Sequence, residues 1–185
     1  MTADINQDYF VLLGIVPTFR VDHRQLAENY RNLQKTTHPD KFINESDSEQ
    51  LRSAQLASYV NGAYQTLKSP LLTAEYLLEL AGHSTDKEAL TVKNNDFLFK
   101  QMQWREILSE LEEQSKQRDF NSTSTLEQLE ELSSEVAAER KALMQRFEKN
   151  YDEGQLIKAA EDVAQWHFIE KVRVSIDLLE DKILE

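Results

Sequence analysis

Only four Gly and three Pro occur in this chain of 185 residues, and where they fall sets what the chain can fold into. Both residues interrupt helices, Pro by removing a donor and clashing with the preceding turn, Gly by its backbone entropy. After Gly82 the next of either is Gly154, and none follows it. Long uninterrupted stretches, with 29% charged residues, argue for helices rather than a β-sandwich. The expected class is all-α.

The apolar residues bear this out. The segment 8–13 reads as one or two helical turns, stopped by Gly14 and Pro17. Asp22 is a good N-cap, and Gln25 can complete a capping box with it. Leu26, Tyr30 and Leu33 then recur at helical spacing as far as Thr37. Pro39 disfavours α geometry at His38 and ends that helix, so 38–47 reads as loop. A third helix spans 48–67, with Leu51, Leu56 or Ala54, Val60, Ala63, Tyr64 and Leu67 inward. A fourth, 70–81, begins at Pro70 in its first turn and ends at Gly82. The polar stretch 82–93 is the best linker.

Beyond it lie three longer helices. One starts at Asn94 or Asn95 and runs to about 117. Another follows the turn 121–124, capped by Ser124 with Glu127 or Thr125 with Gln128. Its stripe is Leu126, Leu129, Leu132, Val136, Leu143 and Phe147. The last, after a break at 152–154, carries Leu156, Ala160, Val163, Ile169, Val172, Ile176, Leu179 and Ile183. Three long amphipathic helices with short connections form an antiparallel bundle. The expected organisation is 1–81, a linker 82–93, and a bundle 94–185.

Charge and composition exclude several function classes. The net charge is −12, which argues against a chain built to neutralise nucleic-acid phosphates. With no Cys, a disulfide, a thiolate zinc or iron–sulfur site and a cysteine nucleophile are all ruled out. His23, His83 and His167 are scattered singly, so no metal site and no cofactor are expected. No run of 18 apolar residues exists to span a membrane. The stretch 1–8 lacks the basic and apolar regions of a signal peptide and the Arg-rich character of a transit peptide. A cytoplasmic protein, most readily of the bacterial cytosol, is expected.

His38-Pro39-Asp40, between two helices, is the first chemically suggestive motif. Arg24, Arg31 and Lys35 precede it at spacings of seven and four, which put them on one helix face, and Lys41 follows it. On an acidic protein, a local basic face can steer association with an acidic partner. A solvated helix face and a helix-terminating turn capped by Asp40 are the plainer readings. The run 30–41 (YRNLQKTTHPDK), with DYFVLLG at 8–14 and Asn61, Ala63, Tyr64 and Leu67 beyond, closely resembles a J-domain. J-domains stimulate ATP hydrolysis by DnaK-type chaperones. The resemblance implies that His38, Pro39, Asp40, Lys41, Arg24, Arg31 and Lys35 dock on such a chaperone.

The run 62–78 (GAYQTLKSPLLTAEYLL), and NDFL at 95–98 followed by Met102 and Glu106, extend the resemblance to the HscB family of J-proteins, which serve iron–sulfur cluster assembly. Such proteins follow the J-domain with an acidic three-helix bundle. On the helix after the linker, Phe97, Trp104, Leu108 and Leu111 form a core stripe. Leu98, Phe99 and Met102 lie beside it and continue into Gln103, Glu106 and Glu110. A three-helix core does not need this second stripe, and exposed apolar patches mark protein-binding sites. Phe168 stands one residue off the Ile169, Val172, Ile176 stripe, which turns it outward near the same groove. By resemblance these seven residues bind an IscU-type scaffold. Gln103 stands where the family pattern has a carboxylate, and Phe99 where it has another aliphatic. Packing of Phe99, Met102 and Phe168 into the core is the rival reading.

The implied function is a co-chaperone, not an enzyme, that delivers an IscU-type scaffold to an HscA-type chaperone and accelerates its ATPase, with no nucleic-acid or membrane partner. Two alternatives stand beside it: a general J-protein of DnaK with another client, and a helical enzyme using His38 and Asp40 as acid and base. The last lacks any accompanying Ser or Cys nucleophile motif or Gly-rich phosphate loop.

Overall fold

The structure, a computed structural model, describes residues 5, 7–42, 45–83, 95–117 and 122–184. Among these every regular element is helical: α1 (Tyr9–Leu13), α2 (His23–Thr37), a 3-10 turn (Pro39–Phe42), α3 (Asp47–Lys68), α4 (Pro70–Leu80), α5 (Asn95–Ser115), α6 (Ser122–Asp152) and α7 (Leu156–Leu184). The chain divides into two compact units, Met1–Ala81 and Gly82–Glu185. The linker assigned to 82–93 lies, from residue 84 onward, outside the described residues.

In the first unit, helix starts are set by oxygen acceptors placed just ahead of them. Asp8 Oδ1 accepts from the N–H of Val11 at 2.9 Å. Asp22 Oδ1 accepts from the N–H groups of Arg24 and Gln25, satisfying donors that a helix N-terminus leaves orphaned. Gly14 closes α1 in the left-handed region, φ 61°, where a Cβ is costly. Asn29 on α2 donates to the carbonyl of Leu13 at 2.8 Å, joining that corner to α2. Pro70 opens α4 at its first turn, behind Ser69 as cap. Phe10, Leu13, Leu26, Val60, Ala63, Leu67, Ala74, Leu77 and Leu78 make the core. Each such large aliphatic contributes about 1.5–3 kcal/mol by leaving water.

Three expectations need correcting here. The segment 38–47 is not all loop: Pro39–Phe42 forms a 3-10 turn, with the Lys41 N–H on the His38 carbonyl at 3.1 Å. The third helix starts at Asp47, behind a capping box of Ser46 and Glu49. Its inward face is the expected one at Val60, Ala63 and Leu67, all buried, but differs toward its start. Leu51 and Ala54 are exposed and Leu56 and Tyr64 half-buried, while Ser53 is buried.

The second unit is the three-helix bundle. Its core is built from Phe97, Trp104 and Leu111 of α5, Leu129, Leu132, Val136, Leu143 and Phe147 of α6, and Val163, Trp166, Ile169, Val172, Ile176 and Leu179 of α7. The seam between α6 and α7 is fastened by charge. Arg146 donates to the buried Asp162 and, at 2.7 Å, to Gln165; Asn150 also donates to Asp162 at 2.7 Å. Arg140 and Arg173 both hold Glu170 at 2.7 Å, and Trp166 Nε1–H donates to it at 2.9 Å. α6 begins at Ser122, so Ser124 and Thr125 lie within the helix rather than capping it, and Thr125 is buried. Asn95 is the first helical residue of α5; Asn94 and Asn121 lie outside the described residues.

Candidate functional site

Two surfaces hold the residues singled out by the sequence, one on each unit. On the first, His38 ends α2 with extended geometry, φ −61° and ψ 129°, as the following Pro requires. Its side chain is 51% exposed and that of Asp40 is 78% exposed. The Asp40 N–H donates to His38 Nδ1 at 3.3 Å. A backbone N–H can only donate, so Nδ1 is the acceptor in this contact. The Asp40 carboxylate lies 3.4 Å from the same nitrogen. Nothing is described of the Pro39 side chain.

Arg24, Arg31, Lys35 and Lys41 are all exposed. Arg31 Nε donates to the Ala27 carbonyl on its own helix at 3.1 Å, which holds the guanidinium along α2. Two contacts clamp α2 to α3. The Tyr30 and Tyr64 rings stack with centroids 4.1 Å apart, and Tyr30 OH donates to Asn61 Oδ1 at 2.8 Å. At the end of the helix, Ser53 Oγ–H donates to the Thr37 carbonyl at 3.2 Å, and both residues are buried. Sequence reading missed Ser53 and Thr37, whose small hydroxyl side chains carry no apolar periodicity.

On the second unit, α5 does present two faces. Phe97, Trp104 and Leu111 are buried, whereas Leu98, Phe99 and Met102 are 40%, 62% and 69% exposed. Leu108, expected in the core stripe, is half-buried. Gln103, Glu106 and Glu110 are exposed along the helix from the apolar patch. Phe168 differs from the expectation of an outward anchor. It is half-buried, with its ring edge-on to Phe97 at 6.0 Å, stacked on Trp104 at 6.4 Å, and covered by the Arg105 guanidinium at 5.2 Å. It packs on the core-facing aromatics of α5 rather than standing free in solvent. α5 is held to α6, where Glu135 accepts from Trp104 Nε1–H at 3.0 Å and Glu139 pairs with Lys100.

Two carboxyls in the bundle titrate away from their ordinary range. Burial alone pushes Glu170 up, but hydrogen bonds from Arg140 and Trp166 and the charges of Arg140 and Arg173 outweigh it and bring it down. At Asp162 burial wins and holds the carboxyl above the usual range despite Arg146 and Asn150. Both belong to the α6–α7 seam. Among the described residues, no group of three or more His, Asp or Glu is placed to hold a metal ion. No helix among them is long and apolar enough to cross a membrane.

Comparison with known proteins places this architecture. A relative from Shewanella denitrificans, a co-chaperone protein HscB homolog, is 38% identical over 181 residues, covering 96% of this chain and 99% of its own. The chain belongs to the HscB co-chaperone family. The family model for the HSCB C-terminal oligomerisation domain matches residues 93–177. Among solved structures, chaperone HscB from Vibrio cholerae superposes with a TM-score of 0.82 at 32% identity, covering 94% of this chain and 98% of that one. Human co-chaperone protein HscB gives the same TM-score at 27% identity, covering 95% and 83%. The HscB fold, a J-domain followed by a helical bundle, is therefore the fold of this chain.

Proposed function

We propose that this HscB-family chain binds an IscU-type iron–sulfur scaffold on α5, presents it to an HscA-type chaperone, and stimulates that chaperone's ATPase through the His38–Pro39–Asp40 turn. The observation that carries the reading is the exposed patch of Leu98, Phe99 and Met102 on a helix whose other face is fully committed to the core. A soluble three-helix bundle gains nothing from three large apolar side chains in water, and such residues anchor protein interfaces.

Each proposed residue has a physical part. Leu98, Phe99 and Met102 supply apolar area, Phe168 a half-buried ring beside the same helix, and Gln103, Glu106 and Glu110 a polar and acidic margin that favours a basic partner surface. Arg24, Arg31, Lys35 and Lys41 steer an acidic chaperone surface toward α2. Asp40 offers a carboxylate for an Arg of the chaperone. The scaffold and the chaperone are then held at once, and tethering raises the effective concentration of one at the other. The chain works on partners and carries no turnover of its own; its setting is the cytosol.

The purified protein tests this in two titrations. It should accelerate ATP hydrolysis by an HscA-type chaperone, further when an IscU-type scaffold is added, and show no hydrolysis alone. Stimulation with no scaffold binding points instead to a general J-protein with another client. Absence of stimulation overturns the reading.

A further inference from the structure

We infer that Ser53 is a positioning residue for the His38–Pro39–Asp40 turn, acting through the carbonyl at the end of α2. This rests on the co-chaperone reading above. A helix leaves its last carbonyls without intrahelical partners. Had α2 continued, the donor to the Thr37 carbonyl would have been the Lys41 N–H. That N–H turns instead to the His38 carbonyl at 3.1 Å. The Asp40 N–H is engaged with His38 Nδ1, and Pro39 has no N–H to offer. The Thr37 carbonyl therefore falls in a residue only 6% exposed, where water does not readily serve it. Ser53, 5% exposed and 16 residues along on α3, supplies the donor at 3.2 Å.

The bond has a location that the rest of the α2–α3 contact lacks. The Tyr30–Tyr64 stack and the Tyr30–Asn61 hydrogen bond lie two turns back along α2 and fix the helix as a body. Ser53 alone among these reaches the last helical residue, directly before His38. Thr37's own hydroxyl points back, donating to the Leu33 carbonyl at 3.0 Å, so it holds the helix end to itself and not to α3. Thus α3 pins the point from which the turn departs.

The geometry separates two effects on the chaperone. Docking depends on the basic side chains of α2, which Ser53 does not touch. The effect of the docked turn depends on where His38 and Asp40 stand. Ser53→Ala removes the donor but keeps the small buried side chain. In the full-length protein it should lower the maximal stimulation of a DnaK-type chaperone ATPase by about three- to tenfold, because loosely held groups lose most of their effect. The half-saturating concentration should move less than about twofold, since the steering charges are intact. Thr37→Val keeps the carbonyl and its partner, and should retain full maximal stimulation. Amide hydrogen exchange at Asp40 and Lys41, well below the melting temperature, should quicken in Ser53→Ala and not in Thr37→Val. Equal losses in both variants, or undiminished maximal stimulation by Ser53→Ala, overturn the inference. If the unaltered protein stimulates no chaperone, the co-chaperone reading falls, and unchanged exchange in Ser53→Ala is the result that removes the latch itself.

Discussion

The two candidate surfaces are built on opposite principles. The His38–Asp40 turn is polar, sits at a helix end, and needs outside restraint: a hydroxyl from α3 and an aromatic clamp further back. The Leu98–Phe99–Met102 patch is apolar and sits in the body of a helix, where the backbone is already fixed by its own hydrogen bonds. Its restraint is simply a full core on the far side, Phe97, Trp104 and Leu111. A turn must be held in place by bonds, whereas a helix face is held by packing. The two should therefore fail differently.

The sharpest break between them is functional. His38→Gln should abolish ATPase stimulation yet leave scaffold affinity intact and stability within about 0.5 kcal/mol, as exposed substitutions usually do. Joint replacement of Leu98, Phe99 and Met102 by Ala should do the reverse. Interface anchors are worth about 2 kcal/mol or more each, so scaffold binding should vanish in a titration while basal stimulation persists. If one variant removes both activities, the surfaces do not act separately.

Stability gives the next contrast. Trp104→Ala should cost about 3–5 kcal/mol in a denaturant melt, and it also removes the hydrogen bond to Glu135. The triple variant on the neighbouring face should melt close to the unaltered protein. A melt lowered as far by the triple variant would mean that the patch is part of the core.

Smaller is the effect of reversing Arg31 and Lys35 to Glu. It should slow association with the chaperone by about tenfold at low ionic strength and flatten its salt dependence, the mark of steering rather than contact. Unmoved rates would leave these side chains as a solvated face.

The smallest effect is in pH dependence, within the α6–α7 seam. Glu170 is held below its ordinary value of 4.5, so its ionised form is favoured on folding. That contribution is complete above the unfolded value and fades as pH falls through the folded one. Glu170→Gln should thus lower the melting temperature at neutral pH and converge on the parent as pH falls through the lowered value of the folded state. Asp162 is shifted the other way, so Asp162→Asn should change the slope of melting temperature against pH in the opposite sense.

The helical class and most helix ends were readable because Pro39, Pro70, Gly82 and Gly154 act locally. What escaped depends on partners distant in sequence. Leu51 looks like a core residue of α3, yet the buried position is Ser53, whose hydroxyl serves a carbonyl 16 residues earlier. Asp162 and Gln165 are buried on α7 because Arg146 and Asn150 on α6 meet them there. No periodicity announces such a pairing. α7 also buries more than one stripe, Ala159 and Trp166 included, since it packs against both other helices. At the proposed scaffold face, the exposure of Leu98, Phe99 and Met102 followed from their angle to the Trp104 stripe. The position of Phe168 did not, because an Arg from the neighbouring helix covers it.

The placement of the aromatic residues has a practical consequence. Both tryptophans, Trp104 and Trp166, belong to the bundle, and five of the six tyrosines, Tyr9, Tyr30, Tyr59, Tyr64 and Tyr76, belong to the first unit. The chain thus carries its own two-channel optical label. Indole emission excited at the red edge reports on the bundle alone. Of the two indoles, Trp104 stands on α5 itself, stacked on Phe168 and buried on the face away from the patch. Its spectrum is a native gauge of how the core behind α5 is packed, with no dye attached.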